Sequence, residues 1–161
     1  MWVAAYIGAI VGLNWLFNVL PPIATPFGGL PLATFIVGAV FVLRDYAQRQ
    51  IGHLILLATL SAGILTWFMV EPSLAVASTT AFVVSEMADW AIFSFTRRPL
   101  QERILISSLV SVPLDTFSFL YLSGFLTPAS FTIQILSKTA GVLVVWYLLK
   151  LRSGGTPATA H

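Results

Sequence analysis

Four ionisable residues stand inside long apolar runs of the chain: Glu86, Asp89, Asp115 and Lys138. Glu86 and Asp89 are three residues apart, so on a helix they share a face, and Phe82 and Trp90 each lie four residues from Glu86. Asn14 and Asn18 repeat the four-residue spacing near the start of the chain, as do Gln134 and Lys138 near its end. Pro113, two residues before Asp115, removes a helical hydrogen bond and leaves the Leu109 carbonyl open to a ligand or water. These groups are suited to binding. No HExxH, GxSxG or P-loop is present, and with no cysteine there is no thiolate chemistry. The chain reads as a non-enzyme without catalytic residues, cofactor or metal.

Three carboxylates against one lysine leave surplus charge. At least one must be protonated, paired with a substrate or open to water. A purely structural set, with one ion pair and helix-bridging Asn residues, would account for the lysine but not for the surplus.

The elements that position these residues follow from composition. The chain of 161 residues is 58% hydrophobic and only 9% charged, too few charges to cover a soluble surface. Breaks in hydrophobicity divide it into six expected transmembrane helices, over residues 2–20, 30–46, 52–70, 73–95, 104–125 and 130–149. The breaks carry turn residues, among them Pro21-Pro22, Glu71-Pro72 and Thr127-Pro128. The first stretch lacks a basic leader and a small-x-small cleavage site, so it reads as a span and not as a signal peptide. Residues 1–152 form one all-α membrane domain, and residues 153–161 a disordered tail.

Orientation follows from Lys and Arg. Arg44 and Arg49 fall between spans 2 and 3, Arg97, Arg98 and Arg103 between spans 4 and 5, and Lys150 and Arg152 after span 6. The connections after spans 1, 3 and 5 contain none. The positive-inside rule then puts both termini in the cytoplasm, in a multi-pass protein of the inner or plasma membrane. Basic residues placed between spans, and not on one soluble face, argue against a nucleic-acid partner.

At about 1.5 Å per residue, Glu86 lies roughly 16 Å from the basic end of its span, Asp115 and Lys138 about 18 Å, and Asn14 about 19 Å. Four polar side chains from four helices thus share one layer near the bilayer midplane. Facing lipid, each charge would cost about 2.5–3.5 kcal/mol, so the layer must face inward. Ala4, Gly8 and Gly12 form a small-residue stripe on span 1, expected to serve internal packing, with docking of a partner protein as the alternative. Trp2, Trp67 and Trp146 fit interfacial belts and His53 an interfacial position, while Trp15 and Trp90 lie deeper as stacking surfaces.

Arg44-Asp45, Arg49 and Gly52, the pattern ASxxAFxxSExxDxxxF over residues 77–93, Arg97, Asp115-Thr116 with Phe117 and Phe119, Lys138 and Asn14 together carry a resemblance. The chain resembles the VUT family of queuosine-precursor transporters (the YhhQ type) from about residue 10 to 150. It is short for that family, without an extended N-terminus and with few residues after span 3. The resemblance implies a carrier for 7-cyano- and 7-aminomethyl-7-deazaguanine, with a distant likeness to the six-helix S-components of energy-coupling factor transporters. A carboxylate, Glu86 or Asp115, would accept the paired N1–H and 2-amino group of the base. Lys138 or Asn14 would donate to the O6 carbonyl, with Gln134 one turn away, and Phe82, Trp90 or Phe117 would stack on the ring. Asp89 would contact an aminomethyl group or shuttle a proton, and Arg44, Asp45 and Arg49 would form a cytoplasmic gate or a topological anchor. A vitamin-binding S-component with a coupling subunit, a homo-oligomer, and a non-transporting scaffold remain open alternatives.

Overall fold

The computed structural model describes residues 1–21, 23–25, 28–30 and 33–153. The tail expected beyond residue 153 lies outside them. Six α-helices are present: α1 (Trp2–Val19), α2 (Thr34–Ile51), α3 (Ile55–Met69), α4 (Pro72–Phe95), α5 (Leu100–Ser123) and α6 (Pro128–Ser153). Proline opens α4 and α6 and caps the start of α5, where a missing N–H costs nothing. Gly52 (φ 61°) and Gly124 (φ 76°) end α2 and α5 in conformations that other residues rarely adopt.

Two expectations are corrected here. Leu30 does not begin a helix: β1 (Ile23–Thr25) and β2 (Gly28–Leu30) pair antiparallel as a short hairpin, Ile23 opposite Leu30, and α2 starts at Thr34. Gly52–Leu54 forms a 3₁₀ turn, so the third helix is only Ile55–Met69. Among the described residues, four segments are long and apolar enough to cross a membrane: Trp2–Val19, Thr34–Met69, Leu100–Ser123 and Pro128–Leu151. The second of them holds both α2 and α3.

The helices alternate in direction and close into a ring in the order α1, α3, α4, α5, α6, α2. Side-chain bonds fix the alternation. Trp2 N–H meets Gln50 on α2, Asn14 and Asn18 meet Thr66 and Met69 on α3, Arg103 meets Phe93 across α4–α5, and Trp146 meets Gln101 across α5–α6. Both the start of α1 and the end of α6 therefore lie at one end of the bundle, with Arg49, Arg97, Arg98 and Arg103. This is the basic end.

The bundle is apolar outside and polar inside. Leu57, Leu60, Phe68, Leu109, Leu136 and Leu148 are exposed, while Asn14, Arg44, Asp45, Glu86, Asp89 and Lys138 are buried. In lipid that is the favourable arrangement, since only the interior can satisfy polar groups. The backbones of α2 and α6 touch. A Cβ on Gly38 would collide with the Lys138 carbonyl, and one on Gly141 with the Phe35 carbonyl. The small-residue stripe of α1 does the opposite: Ala4 and Gly8 are exposed, and nothing lies within 4 Å of a Cβ on Gly8 or Gly12. The expected internal packing role is therefore wrong, because α1 turns its Tyr6–Ile10–Leu13 face inward instead.

The contrast is testable. Gly141→Val forces two backbones apart and should destabilise the detergent-purified protein by at least the ~1–3 kcal/mol usual for overpacking. Gly8→Val should leave the thermal unfolding midpoint where it is. Equal behaviour of the two variants would contradict the close α2–α6 crossing.

Candidate functional site

A cavity of about 610 Å³ runs down the middle of the ring from the end opposite the basic residues. Its outer reaches are lined by Asn18, Leu20, Val70, Glu71, Phe125 and Ser130, and its depth by Asn14, Glu86, Asp115, Gln134 and Lys138. Asn14, Glu86, Asp115 and Lys138 were expected to share a layer, and one chamber brings them together with Gln134. Its size lies within the 300–1,000 Å³ typical of small-ligand sites. Phe17, Phe41, Phe82 and Phe119 add aromatic wall.

On one side of the chamber Lys138 Nζ donates to Asp115 Oδ2 at 2.7 Å and to Thr116 Oγ1 at 3.0 Å. Ser85 Oγ donates to Asp115 Oδ1 at 3.3 Å. Lys138 is thus paired with Asp115, and not with Glu86 or Asp89. Asp115 keeps 13% side-chain exposure against 4% for Lys138, so the carboxylate faces the chamber. Asn14 donates to Thr66 Oγ1 at 3.1 Å from the other wall.

Towards the basic end the chamber is closed by charge. Arg44 is 0% exposed. Its Nε donates to Glu86 Oε2 at 3.2 Å, and its Nη1 lies 3.1 Å from Asp45 Oδ1 and 3.2 Å from Asp89 Oδ2. Nη1 also donates to Gln48 Oε1, and Nη2 to the Glu86 carbonyl. The other helices complete the shell: Tyr6 OH donates to Glu86 Oε2 at 2.9 Å, Ser107 Oγ to Asp45 Oδ2 at 3.0 Å, and Ser111 Oγ to Asp89 Oδ1 at 3.2 Å. Thr59 on α3 lies 3.5 Å from Glu86 Oε2. Glu86 is common to both tiers, since it lines the chamber and also holds Arg44. Its Oε1 is buried without a hydrogen-bond partner.

Five expected residues are elsewhere. Trp90 donates to His53 Nδ1 at 3.2 Å, near the basic end, away from the chamber. Phe117 is 48% exposed and stacks on Tyr121 on the outer face of α5. It lies two residues from Asp115 and so points the other way, whereas Phe119, four residues on, reaches the chamber. Trp15, the other deep stacking candidate, is exposed. Arg49 is exposed and separated from Arg44 and Asp45, which turn inward, so the three are not one cluster. Asp89 belongs to the charged floor and not to the chamber wall. Sequence reasoning missed Tyr6, Gln48, Thr59, Ser107 and Ser111. The signal was available for three of them: Gln48 lies four residues from Arg44, and Ser107 and Ser111 continue in four-residue steps to Asp115.

A family model described as "Putative vitamin uptake transporter" matches residues 2–153, nearly the whole chain. No curated protein and no solved structure matches it.

Removal of Arg44, among the described residues the one cation in the floor, should be costly. Arg44→Met leaves three buried carboxylates without their partner and should destabilise the protein by about 3–5 kcal/mol in detergent unfolding. Adding Glu86→Gln and Asp45→Asn should recover part of the loss. Additive losses in the triple variant would contradict the charge-compensation account.

Proposed function

The chain belongs to the vitamin uptake transporter family, and from that premise we propose that this multi-pass membrane protein imports queuosine precursors, 7-cyano- and 7-aminomethyl-7-deazaguanine. In this reading all six helices cross the inner or plasma membrane. The basic end, carrying Arg49, Arg97, Arg98, Arg103 and Lys150, is cytoplasmic by the positive-inside rule, and both termini lie there. The chamber then opens to the outside and the Arg44 floor is the cytoplasmic gate. Helix α4, with Glu86 and Asp89, is too polar to cross alone but is sheltered by the ring.

The observation that carries the reading is the Lys138–Asp115 pair in the chamber wall. A guanine-type edge presents, in a row, the O6 acceptor, the N1–H donor and the 2-amino donor. An ammonium beside a carboxylate offers the complementary row of one donor and two acceptors. Each Asp115 oxygen already accepts one hydrogen bond, which fixes its orientation and leaves further acceptor capacity. Adenine lacks the 2-amino group and carries an acceptor at N1, so it meets the carboxylate with the wrong edge. Phe82 and Phe119 stack on the ring, Gln134 and Asn14 contact its rim, and Glu86 Oε1 takes a remaining donor such as the aminomethyl group. A second reading, a vitamin-binding subunit that docks on a coupling protein, is favoured by the outward face of Ala4 and Gly8. It predicts copurification of that partner with ATPases.

The test is the queuosine content of tRNA in cells that neither make nor import its precursors, supplied with limiting external 7-aminomethyl-7-deazaguanine. The parent should restore queuosine. Asp115→Asn, inserted equally well, should reduce uptake about 10- to 100-fold, the equivalent of one charge-assisted hydrogen bond of ~1.5–3 kcal/mol. An inserted parent that restores nothing would overturn the substrate assignment.

A further inference from the structure

We infer that the Asp45–Arg44–Asp89 floor is a proton site, and that it links import of the cargo to import of a proton. The inference rests on the transport reading and adds its driving force. Helix α1 offers Tyr6, α2 Arg44, Asp45 and Gln48, α3 Thr59, α4 Glu86 and Asp89, and α5 Ser107 and Ser111. Asp115 and Lys138 of α5 and α6 stand beside it, bound to each other. Among the described residues Arg44 is thus the one cation for three carboxylates, all at most 1% exposed.

One guanidinium balances one carboxylate. Two further buried negative charges would each cost several kcal/mol. Two oxygens remain without a hydrogen bond in this shell, Glu86 Oε1 and Asp89 Oδ2. Asp45 and Asp89 flank the same Arg44 nitrogen, at 3.1 and 3.2 Å, and two carboxylates held at one cation favour keeping a single proton between them. Glu86, by contrast, accepts from Tyr6 and Arg44 on a single oxygen, which suits the ionised form.

The location gives the site a direction. Glu86 touches both the chamber and Arg44, so a cargo donor on Oε1 competes for the carboxylate that holds the gate. When the floor parts, water from the basic end reaches Asp45 and Asp89. The O–H bond of the shared acid breaks and its proton passes to that water. When the floor closes again, a hydronium on the chamber side gives up its proton by way of Glu86, the carboxylate common to chamber and floor; the hydronium O–H breaks, leaving water, as the O–H of the shared acid re-forms. One proton then moves with each cargo molecule, from the chamber side to the basic side.

Two measurements test the assignment. Infrared spectra of the purified protein at neutral pH should contain a carboxylic-acid C=O stretch that shifts in deuterium oxide and weakens in Asp89→Asn. In proteoliposomes with the membrane potential clamped, an acidic exterior should drive accumulation of 7-cyano-7-deazaguanine by about tenfold per pH unit, and a protonophore should abolish it. The residual uptake of Asp89→Asn should no longer respond to the gradient. Absence of the acid band in the parent, equilibration without accumulation, or accumulation driven by sodium instead would overturn the proton site. A parent that shows the acid band but does not exchange cargo for cargo would retain the proton site and remove the transport reading.

Discussion

The fold depends on one buried guanidinium. Arg44 sits at the centre of the bundle with no solvent exposure, and its position is tenable only because groups from five helices converge on it and its carboxylates. An unpaired cation there would be prohibitive, and so would three unpaired carboxylates. The ring can close around this point because α2 lies backbone to backbone with α6 at Gly38 and Gly141. The crossing brings Arg44 inward and leaves Lys138, on the same side, free to meet Asp115. Packing and charge are two sides of one constraint: the glycines allow the approach, and the carboxylates require it.

That constraint divides the interior into two tiers. Above the floor is a chamber with polar groups on opposite walls and phenylalanines between them, a surface for a flat polar ring. Below it the bundle is closed by ion pairs and hydrogen bonds. In the proposed transport cycle this seal opens, and ion pairs suit that role because they exchange partners for water at a smaller penalty than a packed apolar core meets when it is wetted. Glu86 belongs to both tiers, and in the proposed cycle it is the side chain through which occupancy of the chamber acts on the floor.

Much of this was legible in the sequence. Charges within apolar runs must face inward, so Glu86, Asp115 and Lys138 were identifiable, and helical rise alone put them at one depth. Other parts were not. Arg44 stands near the end of an apolar run, where a basic residue ordinarily marks topology, and only the inward rotation of α2 makes it central. Trp90 lies one turn from Glu86 on the same face, yet that turn places it beside His53, near the basic end. The paired strands Ile23–Thr25 and Gly28–Leu30 have three residues each, too short to carry an alternating pattern. The outward stripe of α1 has the same composition that an inward one would have.

In the proposed function the chamber opens to the outside, is sealed at the basic end and takes up a deazaguanine. The chain contains no cysteine, so one introduced thiol can report on it directly. Ser78→Cys places that thiol in the chamber wall. A membrane-impermeant thiol reagent added outside intact cells should label it, and 7-aminomethyl-7-deazaguanine, but not adenine, should protect it. Labelling only from the cytoplasmic side, or equal labelling with and without the deazaguanine, would contradict the account.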